Sequence, residues 1–290
     1  MVETSRRIRR LTGVPGVFVS MRAISITTSV SAAFGVLLAV VPAFADQPKR
    51  STDWTLTLGV EGRVLPEFEG SKNDILRPVP VFSFRRAGTP ARFRSPRDGG
   101  GAALIDSGPF KFGPAIKVKL PRKESDDIVL RGLGDVGWTF EAGAFAEYWP
   151  SDWLRTRLEV RRGFGGHEGI VGDLSADIVM PLTERLTLSG GPRLSAANAE
   201  ALSPYYSITS GQSSASGLPV YSASGGLKSW GAGAQVSYQI DPNWRSYWFL
   251  EYEQLAGDAA KSPLVTQRGS INQVQVGIGL TRSFDIPGLW

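Results

Sequence analysis

The 290-residue chain contains no cysteine and a single histidine, His167. Without cysteine, neither a disulfide framework nor a thiolate metal site can form. One histidine also leaves no transition-metal cluster. A Ser-His-acid arrangement would have to use His167 with Glu168 and one of the serines. No serine lies in the strained strand-to-helix turn that such a nucleophile needs, and the glycines around His167 are explained by tight turning. The sequence therefore predicts no enzyme, no cofactor and no metal site.

The chain also lacks an apolar run of the roughly 20 residues that a membrane-spanning helix needs. Its N-terminal apolar run, residues 32–41, follows Arg22 and precedes Ala43-Phe44-Ala45. A positive region, a short apolar core and an A-x-A end are the parts of a secretory signal peptide. We therefore expect cleavage between Ala45 and Asp46, with Met21 as the true start. An N-terminal anchor is the alternative. Residues 1–45 are then a leader, and residues 46–290 form one domain.

An excess of basic charge is nearly absent once the leader is removed. Residues 1–45 hold five of the 32 lysines and arginines and one of the 27 acidic residues, which leaves 27 and 26. Nucleic-acid binders show a basic face in the folded domain, so the sequence predicts no nucleic-acid partner.

What the sequence does contain is strand alternation, most clearly in residues 270–284. Val274, Val276, Ile278 and Leu280 share one face, and small or polar residues share the other. Side chains alternate across a strand. The apolar face would therefore meet a second sheet in a soluble sandwich, or lipid in an outer-membrane barrel with a wet lumen.

Aromatic residues and loop lengths favour the barrel. Trp138 with Tyr148, and Trp230 with Tyr238, bracket apolar faces filled by alanine and valine. Such a span covers roughly 20 Å of membrane normal, close to the apolar band between aromatic girdles. Short connections near residues 87–90, 106–109, 149–152, 183–185 and 241–243 alternate with long ones at 62–77, 121–135, 196–227 and 257–269.

The predicted fold is therefore an all-β, transmembrane, antiparallel up-and-down β-barrel. We expect about twelve strands, an even number as bacterial single-chain barrels require. Ten is the alternative count, because Arg92, Arg94 and the glycines at 99–101 blur the alternation between residues 91 and 106.

Charges of both signs fall on the predicted lumen face: Arg155, Arg157, Arg161, Asp173 and Asp177. A hairpin places these two rows side by side, where opposite charges can pair. One interpretation is a selectivity lining. The favoured one is structural packing of a narrow barrel.

Short motifs spread along the mature chain resemble one family. They are Pro66-Glu67-Phe68-Glu69-Gly70-Ser71, Gly132-Leu133-Gly134-Asp135, Glu141-Ala142-Gly143, Arg161 with Gly166-His167-Glu168-Gly169, Tyr205-Tyr206, Gln212-Ser213, Ser216-Gly217-Leu218, Tyr221 and residues 255–264. In this order and spacing they resemble the MltA-interacting protein family (MipA/OmpV) of Gram-negative outer membranes. One departure is that residues 285–290 follow Phe284, where family members commonly stop. Either Phe284 or Trp290 is then the signal read by the barrel assembly machinery.

The resemblance implies a scaffold in contact with outer-membrane lipid. Family members are described as bringing a murein-degrading lytic transglycosylase together with a bifunctional murein synthase. The alternative is an outer-membrane pore or receptor for small solutes, with residues 196–227 as a lid or plug. An exported soluble β protein is the third interpretation.

Overall fold

The computed structural model describes residues 53–89 and 91–287, which form an antiparallel barrel of twelve strands that is nearly closed. The strands are β1 (Trp54–Pro66), β2 (Asp74–Arg86), β3 (Gly100–Gly101), β4 (Ile105–Asp106), β5 (Phe110–Lys119), β6 (Thr139–Ser151), β7 (Leu154–Gly165), β8 (Ile170–Pro181), β9 (Leu186–Ala197), β10 (Gly226–Gln239), β11 (Trp244–Leu255) and β12 (Asn272–Ile286).

The strand order is β2-β1-β12-β11-β10-β9-β8-β7-β6-β5-β3, and β4 also pairs with β5. The predicted fold class and the count of twelve are confirmed. Ten strands have ten or more residues, whereas β3 and β4 have two each. These two short strands lie in the region where the alternation was blurred, which is why the sequence also allowed ten.

Several expectations fall on residues outside the described ranges. They concern Met21, the cleavage between Ala45 and Asp46, Trp290 and Pro90. These remain predictions.

The two faces of each long strand differ in the way the alternation predicts. On β12, Val274 and Ile278 are exposed, whereas Gln273 and Thr281 are buried. The outer surface of the barrel is therefore apolar, and the polar residues point into the lumen. An apolar surface of this extent marks a site of membrane or protein contact.

Connections at the two ends of the barrel differ in length. We call the end with the connections 107–109, 152–153, 182–185 and 240–243 the turn end, and the opposite end the loop end. At the turn end, the Asp241 carboxylate accepts hydrogen bonds from the backbone N–H groups of Asn243 (2.8 Å) and Trp244 (2.9 Å). Such local side-chain bonding is why aspartate favours turns.

Two predicted connections are corrected by the structure. The loop expected at 62–77 is only 67–73, because β1 continues to Pro66 and β2 begins at Asp74. The alternation persists there, since Val64 is exposed and Leu76 faces outward as well. The short connection expected at 87–90 is instead a long one, because β2 ends at Arg86 and the next strand, β3, begins only at Gly100.

A cap (residues 67–73, 120–138, 198–225 and 256–271) covers the loop end. It contains the helices α1 (Ala199–Tyr206), α2 (Ser210–Ser216) and α3 (Gly257–Lys261). The Thr209 hydroxyl and the Gln212 side chain form a capping box at the start of α2, and Gly217, with φ of 76°, ends this helix. Only glycine adopts such a left-handed conformation without strain. Among the described residues, no helix combines the length and hydropathy needed to cross a membrane.

The cap has its own apolar packing. One cluster includes Leu202, Tyr205, Tyr206 and Val265, and a second includes Leu130, Ile208, Leu218 and Leu264. Arg122 ties the cap together, because its Nη1 donates to the Tyr205 carbonyl at 2.8 Å. Of residues 196–227, expected as a lid or plug, the ends belong to β9 and β10, and residues 198–225 are one part of a packed cap.

Candidate functional site in the barrel lumen

A network of ion pairs fills part of the lumen around Arg155. This arginine is 1% exposed, and its guanidinium contacts Glu147 at 2.9 Å, Asp177 at 3.1 Å and Asp98 at 2.6 Å. The strand register places Arg155 directly opposite Asp177. A buried charge is tolerated only when paired and hydrogen-bonded, so each of these groups depends on the others.

A second group of contacts surrounds Arg161. Its Nε donates to Glu141 at 2.9 Å, and its other nitrogens contact Glu159 and Asp173. Because β7 and β8 are adjacent and antiparallel, the arginine reaches the aspartate of the neighbouring strand.

The five residues singled out in the sequence all point into the lumen, but their pairing differs from the simple hairpin picture. Arg155 meets Asp177, and Arg161 meets Asp173. Arg157 meets neither aspartate and instead contacts Glu147 at 3.2 Å and Glu159. Several partners were missed: Asp98, Glu141, Glu147, Glu159, Arg193 and Glu251. The four glutamates lie at inward-facing positions of strands in which apolar and polar residues alternate. The period-2 pattern of the sequence could therefore have identified them as lumen residues.

His167 is buried and lies at the edge of this network that is nearest the loop end. Its Nε2 is 3.1 Å from a Glu141 carboxylate oxygen, and its ring meets Tyr205 edge-on with 6.0 Å between centroids. From the sequence, a histidine in a glycine-rich connection between two strands is expected to make few contacts, and for His167 this expectation is wrong. The reason is that the short connection 166–169 folds inward beneath the cap.

An inner segment (residues 93–99) crosses the lumen and binds several walls. Asp98 pairs with Arg155 of β7, Arg97 pairs with Glu253 of β11 at 2.8 Å, and the Gly99 N–H donates to Glu159 at 3.1 Å. These contacts join residues that are 57 to 156 positions apart in the chain. The segment therefore acts as a cross-brace inside the barrel.

A cavity of about 2080 Å³ remains beside the inner segment. Toward the turn end its walls carry neutral polar groups together with arginines, namely Gln235, Ser237, Tyr247, Thr281, Ser283, Arg85 and Arg245. Toward the loop end its lining carries both signs of charge, with Lys117, Lys119 and Lys228 beside Glu69, Glu141 and Asp173. The described part of the chain contains no group of three or more His, Asp or Glu residues placed to hold a metal ion.

Glu69, in the first cap loop, links the cap to the barrel wall. Its carboxylate lies 3.1 Å from the Lys228 ammonium and 3.4 Å from that of Lys119. Burial opposes ionisation of this carboxyl, but attraction to the two lysines outweighs burial and holds the pKa of Glu69 below its ordinary value of 4.5. The ionised form thus stabilises the cap.

An apolar outer wall, a polar and charged interior and a loop-end cap define a barrel of the membrane-spanning class. Over residues 58–284 the sequence matches the family described as "MltA-interacting protein MipA". Because this match spans most of the chain, the protein belongs to the MipA family.

Solved structures similar to this chain are bacterial barrels with low sequence identity. The KdgM porin is 10% identical, with a TM-score of 0.36, over 80% of this chain and 99% of that one. The COG4313 outer membrane channel from Pseudomonas putida F1 is 10% identical, with a TM-score of 0.42, over 85% and 100%. The NanC porin is 9% identical, with a TM-score of 0.37, over 79% and 98%. No curated protein matches the chain in sequence.

Proposed function

We propose that this protein is an outer-membrane scaffold that holds a lytic transglycosylase of the MltA type, and with it a bifunctional murein synthase, at the periplasmic face. Membership of a family described as MltA-interacting is the observation that carries this proposal. The ion-paired lumen supports it, because a braced interior provides a rigid platform. We propose no catalytic role, since the only histidine is buried against a carboxylate.

Membrane location is part of the same proposal. Short turns face the periplasm in outer-membrane barrels, so the turn end is the periplasmic end. We expect the mature protein to begin at Asp46, to fractionate with outer membranes, and to migrate faster unheated than boiled, because a barrel satisfies its backbone hydrogen bonds internally. Recovery as a soluble periplasmic monomer would contradict this location.

Assembly into the membrane would use the last strand. Phe284 lies within β12, two residues from its end. We propose that it is the residue read by the barrel assembly machinery, and that Phe284→Ala lowers the yield of folded protein more than Trp290→Ala does. The opposite order would assign the signal to Trp290.

Partner binding at the turn end can be tested directly. Trp153 and Leu182 lie in neighbouring turns there and are 53% and 56% exposed. We expect Trp153→Glu and Leu182→Glu to reduce co-elution of a purified MltA-type transglycosylase from detergent-solubilised protein. Val220→Glu is the matched control, because Val220 is 60% exposed in the cap. If the wild-type protein retains no transglycosylase, the scaffold proposal fails.

A pore or receptor for small solutes is the second candidate. The cavity favours it, because its lining includes Asn243 at the turn end and Lys228 near the loop end. Solute-dependent conductance in a planar bilayer would support this function, and a silent bilayer containing folded protein would exclude it.

A further inference from the structure

The barrel wall is incomplete between β2 and β5. Within the described residues, β2 forms a strand ladder only with β1, so no second strand pairs with its other edge from Asp74 to Arg85. The corresponding edge of β5 pairs with β3 and β4 only up to Ile116. Toward the loop end, two strand edges therefore face each other without a ladder. Unpaired edges are costly within a membrane unless they line a cavity.

Two prolines keep this opening from closing. The Ala87 N–H donates to the Asp53 carbonyl, which makes odd-numbered residues of β2 the ones that hydrogen-bond β1. Even-numbered residues then direct their backbone groups to the free edge, and the Phe82 carbonyl indeed accepts from Arg94 there. Pro78 and Pro80 lack the N–H groups that a ladder with β5 would use. The same gap in donors disfavours addition of a peptide strand.

The cavity passes through this opening. Its lining includes inward-facing Val79 and Val81 of β2, but also outward-facing Pro80 and Phe82 of the same strand. On β5 it likewise includes Val118, which is 57% exposed on the outer surface. A cavity that touches both faces of a strand wraps around its edge. The lumen is thus connected to the lipid-facing surface along an apolar path.

The side chain of Lys117 lies at the inner end of this path. Lys117 faces the lumen beside Val118, and among the described residues it forms neither a hydrogen bond nor an ion pair. At longer range Asp173 and Glu141 attract it, and Arg161 and Arg97 repel it. The neighbouring Lys119 and Lys228 differ, since both contact Glu69. Lys117 is therefore available to an anionic group in the cavity.

We propose that the opening between β2 and β5 admits a long-chain carboxylate from the membrane, with its head group at Lys117 and its hydrocarbon chain between Pro80, Phe82 and Val118. The chemistry fits at both ends, because the outer mouth is apolar and Lys117 offers an ammonium group without a direct partner among the described residues at the inner end. The cavity of about 2080 Å³ also exceeds the roughly 300–1,000 Å³ of common small-molecule sites. This site is independent of any murein enzyme bound at the turn end.

Binding can be measured on the full chain in phosphatidylcholine nanodiscs, with palmitate and hexadecanol as probes of equal chain length. We expect saturable binding that favours palmitate. Lys117→Gln should weaken palmitate binding by about tenfold or more, as expected for loss of one charge-assisted hydrogen bond, and should leave hexadecanol unchanged. Non-saturable binding, or equal binding of the two probes, would overturn the proposal.

Blocking the opening supplies a test within a single folded protein. The chain contains no cysteine, so Val118→Cys can be alkylated after folding with a bulky maleimide. We expect alkylation to abolish palmitate uptake. Leu174→Cys, on the outward face of β8, is the matched control. Uptake that survives alkylation at position 118, or that is lost equally at position 174, would show that this opening is not the route.

Discussion

Ala234 lies on the outward face of β10, midway between Trp230 and Tyr238, and pairs with Leu250 and Gly190 of the neighbouring strands. Four residues at ~3.3 Å each, tilted by ~40°, place it roughly 10 Å of membrane normal from either aromatic ring. This position is close to the centre of the apolar band, so Ala234→Arg should place a charge against hydrocarbon.

The expected cost is about 2–4 kcal/mol of unfolding free energy, the range for arginine at the midplane of a barrel. That is a large share of the ~5–15 kcal/mol that stabilises an ordinary native protein. The measurement is a denaturant titration of protein folded in lipid vesicles, with the heat-modifiable gel band as the readout of folded barrel.

The matched control uses the same new side chain at the same depth. Gln235 adjoins Ala234, faces the lumen and lines the cavity. We expect Gln235→Arg to change the unfolding free energy by less than about 1 kcal/mol, because the charge meets a wet, polar interior. Equal losses for both variants, or a larger loss at Gln235, would refute the assignment of faces.

Gly233, the other neighbour of Ala234, also faces the lumen, but it is not a suitable control position. A Cβ at Gly233 would lie 2.2 Å from a Glu251 carboxylate oxygen. This oxygen ends a flexible side chain, so Gly233→Ser requires Glu251, which contacts Arg193, to shift and would therefore perturb the charged network.

Three further predictions concern the charged interior and the cap. Arg155→Met should lower the unfolding free energy by about 3–5 kcal/mol in a denaturant titration, because it leaves buried carboxylates unpaired. The control, outward-facing Arg162→Met, should lower it by no more than about 1 kcal/mol. Equal losses in the two variants would argue against a coupled network. His167→Ala should lower the unfolding free energy by about 1–3 kcal/mol, since Glu141 loses a buried partner, and an unchanged titration would contradict this. After correction for the intrinsic exchange rate at each pH, the amide protection factors of the cap should fall as pH drops below 4.5, because a carboxyl with a lowered pKa stabilises the folded state only while ionised. Glu69→Gln should remove this pH dependence, and a dependence retained in that variant would assign it to another group.

The wall of the barrel could be predicted from the sequence because its signal is local. Each strand of β5 to β12 places alternate residues on opposite faces, and the period of two is visible without knowledge of neighbours. The faces of β12 followed directly from Val274, Val276 and Ile278. Connection lengths then distinguish the turn end from the loop end. The exception is the connection between β1 and β2, where a polar stretch containing Arg63 made the last residues of β1 look like a loop.

The interior could not be predicted in the same way because its contacts are non-local. Ser95 approaches Glu251 at 3.4 Å across 156 positions of sequence, and Asp98 reaches Arg155 across 57. The period-2 pattern of a strand sequence carries no information about pairs so far apart in the chain. The hairpin rule predicted only contacts between adjacent strands, so it found Arg155 with Asp177 and missed every contact made by the inner segment.

The incomplete wall and the braced interior are physically connected. A barrel normally gains its rigidity from a closed ring of ladder hydrogen bonds. Among the strands that the structure describes, this ring is interrupted between β2 and β5. The inner segment spans the same region from inside: Arg94 contacts the Phe82 carbonyl of β2, and Asp98 pairs with Arg155 of β7. Ion pairs across the lumen therefore stabilise the barrel where the wall cannot, and the opening between β2 and β5 persists without loss of the fold.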